Sequence, residues 1–433
     1  SDKSQFFNTG SAQFFRNNII DMDFIFQVND GGSTQTEVMR IDASAPSVNI
    51  TGDLVITDAH PEIAFVDSDD NSDSRIYHSA GSLYIDADNN NEVANSKIRF
   101  TVDDSERFVI DANSRISLSN SDSGTSNTIF GKTAGDSDGA GDFNVFVGEL
   151  SGGTGTQTDD ADGNVGVGYR ALTDVTSGNQ NVAIGKDALT NITSGDSNIG
   201  IGSDALGTAT TAEDVIAIGR NAGYAINNDS ADGAIAIGRN ALTSLTSGAG
   251  NLAVGMSVLE DITTGSYNTV VGHEAMQNAQ TGVSLSTAVG YRTGYKLGDD
   301  GASDHSDANI MIGYLALGGG SGTVANNTAN HNIAIGNNSL GGGEASTAST
   351  MAGNTVIGHD ASKVATNGAD NTVIGKDACA TMTTGYFNTV IGKGANPSAV
   401  GGTNQIVIGR AATGLADNSV TLGNSSVTDV YMA

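Results

Sequence analysis

Asp67, Asp69, Asn71 and Asp73 alternate as the first ligands of an EF-hand calcium loop do, an arrangement that wraps oxygens around a hard cation. Ser72, however, stands where that loop requires glycine, and His78 where it requires a bidentate glutamate. A second run, Asp86, Asp88 and Asn90, meets Lys97 at the glutamate position. Asp299, Asp300, Asp304 and Asp307 form a looser carboxylate group and are retained as weak calcium candidates; no other metal or cofactor is expected. His60, His78, His273, His305, His331 and His359 lie in no paired ligand spacing, so a zinc site is not expected. Cys379 fills a column held elsewhere by leucine and reads as a small buried hydrophobe. Carboxylates abound, but no spacing sets two of them in one cleft as glycan hydrolysis requires. The glycine runs at 318–320 and 341–343 are followed by neither Lys-Ser/Thr nor a helix pattern, so neither is a phosphate loop. The expectation is a chain that is not an enzyme.

One set of charged residues is ordered. Beyond residue 126 there are eleven Lys and Arg, and seven of them share one column: Lys132, Lys186, Arg220, Arg239, Lys376, Lys393 and Arg410. Tyr169, Tyr291 and Tyr314, with His273 and His359, fill the same column in other copies. Stacked along a rod, these side chains form a basic and aromatic stripe. Two readings stand side by side: a ladder of ion pairs with Asp187, Asp204, Glu274, Asp360 and Asp377, or a contact for anionic host glycans.

The element that aligns this column is an internal repeat, Asn-x-x-[Ile/Val]-Gly, running from Asn127 to a degenerate copy at Gly423. Its glycines fall most often 17 residues apart, as Gly168, Gly185, Gly202 and Gly219 do in part, with longer insertions before Gly313, Gly336 and Gly358. Asn181, Ile184 and Gly185 mark one full copy, and Asn371, Ile374 and Gly375 another. Such a period denotes a solenoid, each coil stacking on the last. Sixteen or seventeen coils at about 4.8 Å give a stack of roughly 80 Å. A coil is expected to be a flattened loop of two short strands and two bends. The glycine turns the chain at positive φ, and the asparagine bonds to backbone or stacks as a ladder. The branched residue before the glycine is expected to face the packed interior. The small residue before it (Ala183, Gly200, Ala217) then lies on the outer face, where it lets a partner's backbone approach. The Ala-Leu stretch after the glycine reads either as part of the coil or as one helical turn. Insertions at 294–308, 318–331 and 341–353 emerge as loops suited to sugar recognition, with Tyr295 and His305 as stacking platforms.

Composition sets the outer limits. With 58 Gly, 3 Pro and 1 Cys among 433 residues there is neither a collagen period nor a disulfide scaffold, and no apolar run spans a membrane. The net charge of −30 argues against a nucleic-acid partner, whose phosphates need a basic footprint. Residues 1–126 lack the repeat but are strand-like, in 24–28, 47–51, 53–57, 82–86 and 97–102, with a related pair of segments at 37–43 and 106–112. The organisation read from this is a β segment over 1–58, a β-rich shaft over 59–126, the repeat roll over 127–423 and a tail over 424–433. Ser1 is not an initiator, so the chain reads as part of a longer product.

The Asn-x-x-Ile-Gly-x-x-Ala repeat resembles the head repeats of trimeric autotransporter adhesins. The segment Ile50–Thr57, the Glu106–Ala112 segment and the Ser419–Tyr431 stretch resemble tail fibres of tailed bacteriophages. The resemblance implies an all-β homotrimer with parallel β-roll repeats, matured by a self-cleaving C-terminal chaperone, with Ala433 at or near the cut. It further implies partners in the tail or baseplate, contact with host-surface glycan and a place on the virion tail, outside the cell. A bacterial trimeric surface adhesin is the second expectation, and a tailspike glycan hydrolase the third.

Overall fold

The computed structural model describes eleven strands between residues 5 and 117, and residues 126–431 except 136–140, 154–157, 159, 280–281, 298–306, 319–326 and 342–348. Contacts divide the chain into two units, 1–99 with 109–116, and 100–108 with 117–433.

The first unit is built from antiparallel sheets. Phe24–Val28, Thr36–Asp42 and Ser47–Ile50 form one three-stranded sheet, and Glu62–Val66, Asp73–Ser79 and Ser82–Asp86 another. In the latter, Ile63 pairs with Ile76 and Ile76 with Ile85, which places three isoleucines side by side on one face, and all are exposed. Lys97–Val102, Ser105–Asp111 and Ile116–Ser117 form a third sheet. The expected strand at 53–57 lies outside the described residues.

The second unit is a parallel β-solenoid. Each coil contributes one three-residue strand, and 17 such strands, from Thr128–Phe130 to Val420–Leu422, form one sheet. Equivalent residues pair in register, as Val182 with Ile199, Ala183 with Gly200 and Ile184 with Ile201. One strand per coil is fewer than expected. Among the described residues a second strand occurs where Asn327–Asn330, Ser349–Ala352 and Asn367–Ala369 pair in a small parallel sheet; in the other coils described, turns complete the coil. No α-helix occurs among the described residues, and no helix there is long and apolar enough to cross a membrane.

The Ala-Leu stretch is a turn rather than a helical turn. Leu172, Leu189, Leu206, Leu242 and Leu259 adopt left-handed φ of 47–55° yet are fully buried. The left-handed backbone costs about 1–2 kcal/mol per residue. Burying a leucine returns about 1.5–3 kcal/mol, which offsets it.

The two strand faces are the reverse of the expectation. The small middle residue (Ala183, Gly200, Ala217, Ala236) is buried in the lumen, whereas the branched residue before the glycine faces outward. The reason is volume. The lumen is already filled by the leucine column and by Ile192, Ile226, Leu245 and Ile262. A Cβ on Gly200 would lie 3.1 Å from Cγ of Leu189. In several coils the two columns trade size: Ala183, Ala236 and Ala253 belong to coils with Leu189, Leu242 and Leu259, whereas Val356, Val373 and Val390 belong to coils with Ser362, Cys379 and Asn396; Met311 with Leu317 and Ala217 with Gly223 depart from the trade. Close packing favours such compensation.

Candidate functional site

The repeat asparagine is a structural device of the lumen. Nδ2 of Asn371 donates to Oδ1 of Asn354 (3.0 Å) and to the Gly385 carbonyl (2.7 Å), while its Oδ1 accepts from the Asn388 amide (3.0 Å). Asn164, Asn181 and Asn198 repeat the pattern one coil apart. Each rung satisfies backbone groups that the short strands leave unpaired, as buried polar groups require. The repeat glycines adopt φ of 130–148° at Gly131, Gly148, Gly185, Gly202, Gly375 and their equivalents, a region that side chains rarely enter.

A second ladder, absent from the sequence reading, lies two residues before each asparagine. Oδ1 of Asp162 accepts from the Asp142 amide (2.6 Å), that of Asp196 from Asn179 (2.8 Å) and that of Asp232 from Glu213 (3.1 Å). The signal that could have found it is a side-chain acceptor at a fixed offset. Asp307, one of the weak calcium candidates, is such a rung, accepting from Ser284 (2.8 Å). Asp299, Asp300, Asp304 and His305 lie outside the described residues.

The fold forms an open recess where a regular rod is expected to have no cleft. Asp160, Asp162, Asn179 and Asp196 line a space of about 500 Å³. Asp162 and Asp196 are committed there to backbone amides as ladder rungs. The fold also gathers His359, Asp360 and Asp377, whose ligand atoms lie within 4.8 Å of one another. Sequence spacing did not show this, because the residues come from successive coils. Nδ1 of His359 is 3.3 Å from Asp360, Asn338 donates to Asp360 at 3.1 Å, and Lys363 stands 3.7 Å away. Burial works to raise the Asp360 pKa, but the Asn338 hydrogen bond and the Lys363 and His359 charges outweigh it and hold the carboxyl below its usual range.

The basic and aromatic column sorts into three groups. Lys186 pairs with Asp187 and Lys376 with Asp377 (4.0 Å), which realises the ion-pair reading at those coils, while His273 lies 3.8 Å from Glu274 and His359 3.3 Å from Asp360. His273, Tyr291 and Tyr314 stack as a continuous aromatic run, with centroids 5.3 and 5.7 Å apart. Arg292, itself paired with Glu274, lies over the rings of Tyr291 and Tyr295 at 5.3 and 4.8 Å. Arg220, Arg239, Lys393 and Arg410 have no carboxylate partner among the described residues; Arg239 reaches only the Met256 sulfur.

Cys379 is buried, as its column implied. Burial pushes its thiol up to about 12, the Ser362 hydroxyl offsetting only a part. The thiolate is therefore scarce at mildly alkaline pH, and thiols react through the thiolate. Alkylation of the folded chain is expected to be at least a hundredfold slower than in denaturant, read by mass spectrometry; equal rates would contradict the burial.

The largest unexplained surface is the outer face of the 17-stranded sheet. Two columns of branched residues line it: Val182, Ile199, Ile216 and Ile235 at the start of the strands, and Ile184, Ile201, Ile218 and Ile237 at their ends. Ile184 is 40% exposed and Ile408, near the far end, 39%. A parallel sheet with one bare apolar face is unusual, because such sheets are normally covered on both sides. These features define a parallel β-solenoid protein with an uncovered aliphatic stripe. No protein-family model matches the chain, and no curated protein matches it either.

Proposed function

We propose that this chain is a structural fibre subunit that works as a homotrimer, its solenoids joined along their sheet faces, and that it carries attachment to a host-cell surface. The observation behind this reading is the aliphatic stripe. Its column before the repeat glycine runs the whole length of the sheet, from Phe130 to Leu422, and a contiguous exposed apolar surface of that kind marks an interaction site. Three copies sharing one axis bury all three stripes at once and leave the acidic flanks in water. The exposed Ile63–Ile76–Ile85 row of the first unit calls for the same kind of cover. A tail-fibre setting on a phage-like particle suits a long, regular, non-catalytic rod. Contact with host glycan belongs to the insertions between coils, where the chain departs from its period and is free to vary.

The test is the mass of the assembly. Sedimentation equilibrium is expected to give three times the 43.8-kDa chain. The triple variant Ile184→Asp, Ile218→Asp, Ile374→Asp should sediment as a monomer while keeping the β-sheet circular dichroism of the parent. A monodisperse parent monomer at micromolar concentration would overturn the reading.

A further inference from the structure

The sheet has two long borders, and their chemistries differ. Each strand runs across the solenoid, and all run the same way, so the residues that follow the repeat glycine line one border. The residues one and two places before the repeat asparagine line the other. On the first border stand Arg220, Arg239, His273, Tyr291 and Lys393. On the second, at the same levels, stand Asp214 with Glu213, Asp232, Tyr267, Leu285 and Phe387.

At these five levels the borders match, whereas at others, as at Arg410 with Thr403 and Asn404 or Lys186 with Asn179 and Gln180, no opposite charge faces the cation. Arg220 is level with Glu213 and Asp214, Arg239 with Asp232, His273 with Tyr267, Tyr291 with Leu285, and Lys393 with Phe387. Cation meets carboxylate, ring meets apolar side chain, and the last pair suits a cation–π contact. Within one chain these partners sit at opposite ends of a strand, six residues or so apart, and cannot reach one another. Around a cyclic axis parallel to the solenoid, however, the two borders of neighbouring copies must meet, because such a contact is head-to-tail.

The second border also carries apolar side chains that their own chain covers only in part. Tyr267, Leu285 and Phe387 are 63%, 61% and 59% exposed, and all three hold left-handed φ of 57–61°. Phe387 meets the Tyr386 ring, with centroids 6.4 Å apart. Glycine occupies this column at Gly163, Gly233 and Gly250, where the conformation is free of strain. A bulky residue there accepts a backbone penalty and gains little burial, unless a neighbouring copy supplies it. Burial and the crowding of Asp232, Asp229, Asp196 and Asp214 together raise the pKa of Glu213, so this border would welcome an added cation. Arg220 and Arg239 are among the cations of the opposite border, with Lys393 and Arg410, that have no carboxylate of their own among the described residues.

We propose that neighbouring copies of this chain are keyed by these borders, the post-glycine column of one copy seating on the pre-asparagine columns of the next at the same level. The proposal rests on the homotrimer reading and adds to it which residues touch and in which sense the copies run. It also gives the basic and aromatic column a partner within the assembly, in place of a glycan.

Cysteine pairing tests it in the full chain. In a Cys379→Ser background, Asp214→Cys combined with Arg220→Cys cannot close a disulfide within one chain, because the two Cα atoms are roughly 20 Å apart along an extended strand and a disulfide needs less than about 7 Å. Copper-catalysed oxidation is expected to give a covalent trimer on a non-reducing gel, and each single-cysteine variant none. A dimer from the Arg220→Cys single variant would mean an isologous contact and would overturn the proposal. A second readout covers failure of the cysteine variant to fold. Arg220→Glu with Arg239→Glu should raise the trimer dissociation midpoint concentration at least tenfold, and adding Glu213→Lys with Asp214→Lys should restore it. A trimeric parent that shows neither cross-link nor charge rescue refutes the keyed borders alone. A monomeric parent refutes the homotrimer reading and this inference with it.

Discussion

Gly238→Ala is expected to lower the stability of the solenoid by roughly 3 kcal/mol or more, read as a fall in the denaturation midpoint. The new Cβ would sit 2.2 Å from the Gly255 carbonyl oxygen and 2.6 Å from its carbon, both backbone atoms that cannot swing away. The φ of 133° adds strain that no rotamer relieves. Every repeat glycine faces the glycine of the next coil in this manner, as Gly185 faces the Gly202 carbonyl at 2.6 Å, so the coils approach backbone to backbone along this column. Gly233→Ala is the control. Its φ is 69° and nothing lies within 4 Å of the added Cβ, so the loss should be only about 1–2 kcal/mol, the ordinary left-handed penalty. Equal losses at the two sites would show that coil-to-coil contact is not what selects glycine. Because solenoid coils depend on their nearest neighbours, amide exchange should quicken first around the altered coil.

Asn371→Ala is expected to be of similar size, about 3 kcal/mol, for a different reason. The substitution strands the Gly385 carbonyl and the Asn388 amide in the lumen, and leaves the Asn354 side-chain oxygen with the backbone amide of residue 371 in place of two donors. An orphaned buried group costs about 1–3 kcal/mol, so two together exceed the loss of a few methylenes. Asn371→Asp separates hydrogen bonding from size. A carboxylate cannot donate to Gly385 or Asn354, and facing two oxygens it will bind a proton more tightly folded than unfolded. Its folded pKa is then raised, so the damage is greatest above that pKa and recedes as the pH falls towards the unfolded carboxylate value. A pH-independent loss would place the defect in packing instead.

Much of this architecture was legible in residues 127–423. The Asn-x-x-Ile-Gly period announced stacked coils, because only identical coils place identical side chains above one another, and the positive φ of Gly185 or Gly375 follows from the absence of a Cβ. The ladder role of Asn181 and Asn371 was open to view for the same reason. The side to which Ile184 and Ala183 point was misread. Both are apolar, and alternation says only that they oppose each other; the lumen volume left by Leu189 decides between them. The aspartate ladder of Asp162, Asp196 and Asp232 was hidden because acidic residues near turns look like solvated surface until their acceptors are located.

What the sequence determined by itself, then, is the period: that coils stack, the turn glycine and asparagine rung of each, and the column that gathers Lys and Arg. Tertiary structure alone decided which strand face is hidden, that His359, Asp360 and Asp377 converge, and that Arg220 and Lys393 have no carboxylate partner among the described residues. The division has a physical origin. A period fixes what stacks on what, since backbone pairing repeats from coil to coil, but the occupancy of the lumen and the reach across neighbouring coils are matters of volume and distance that no linear pattern carries.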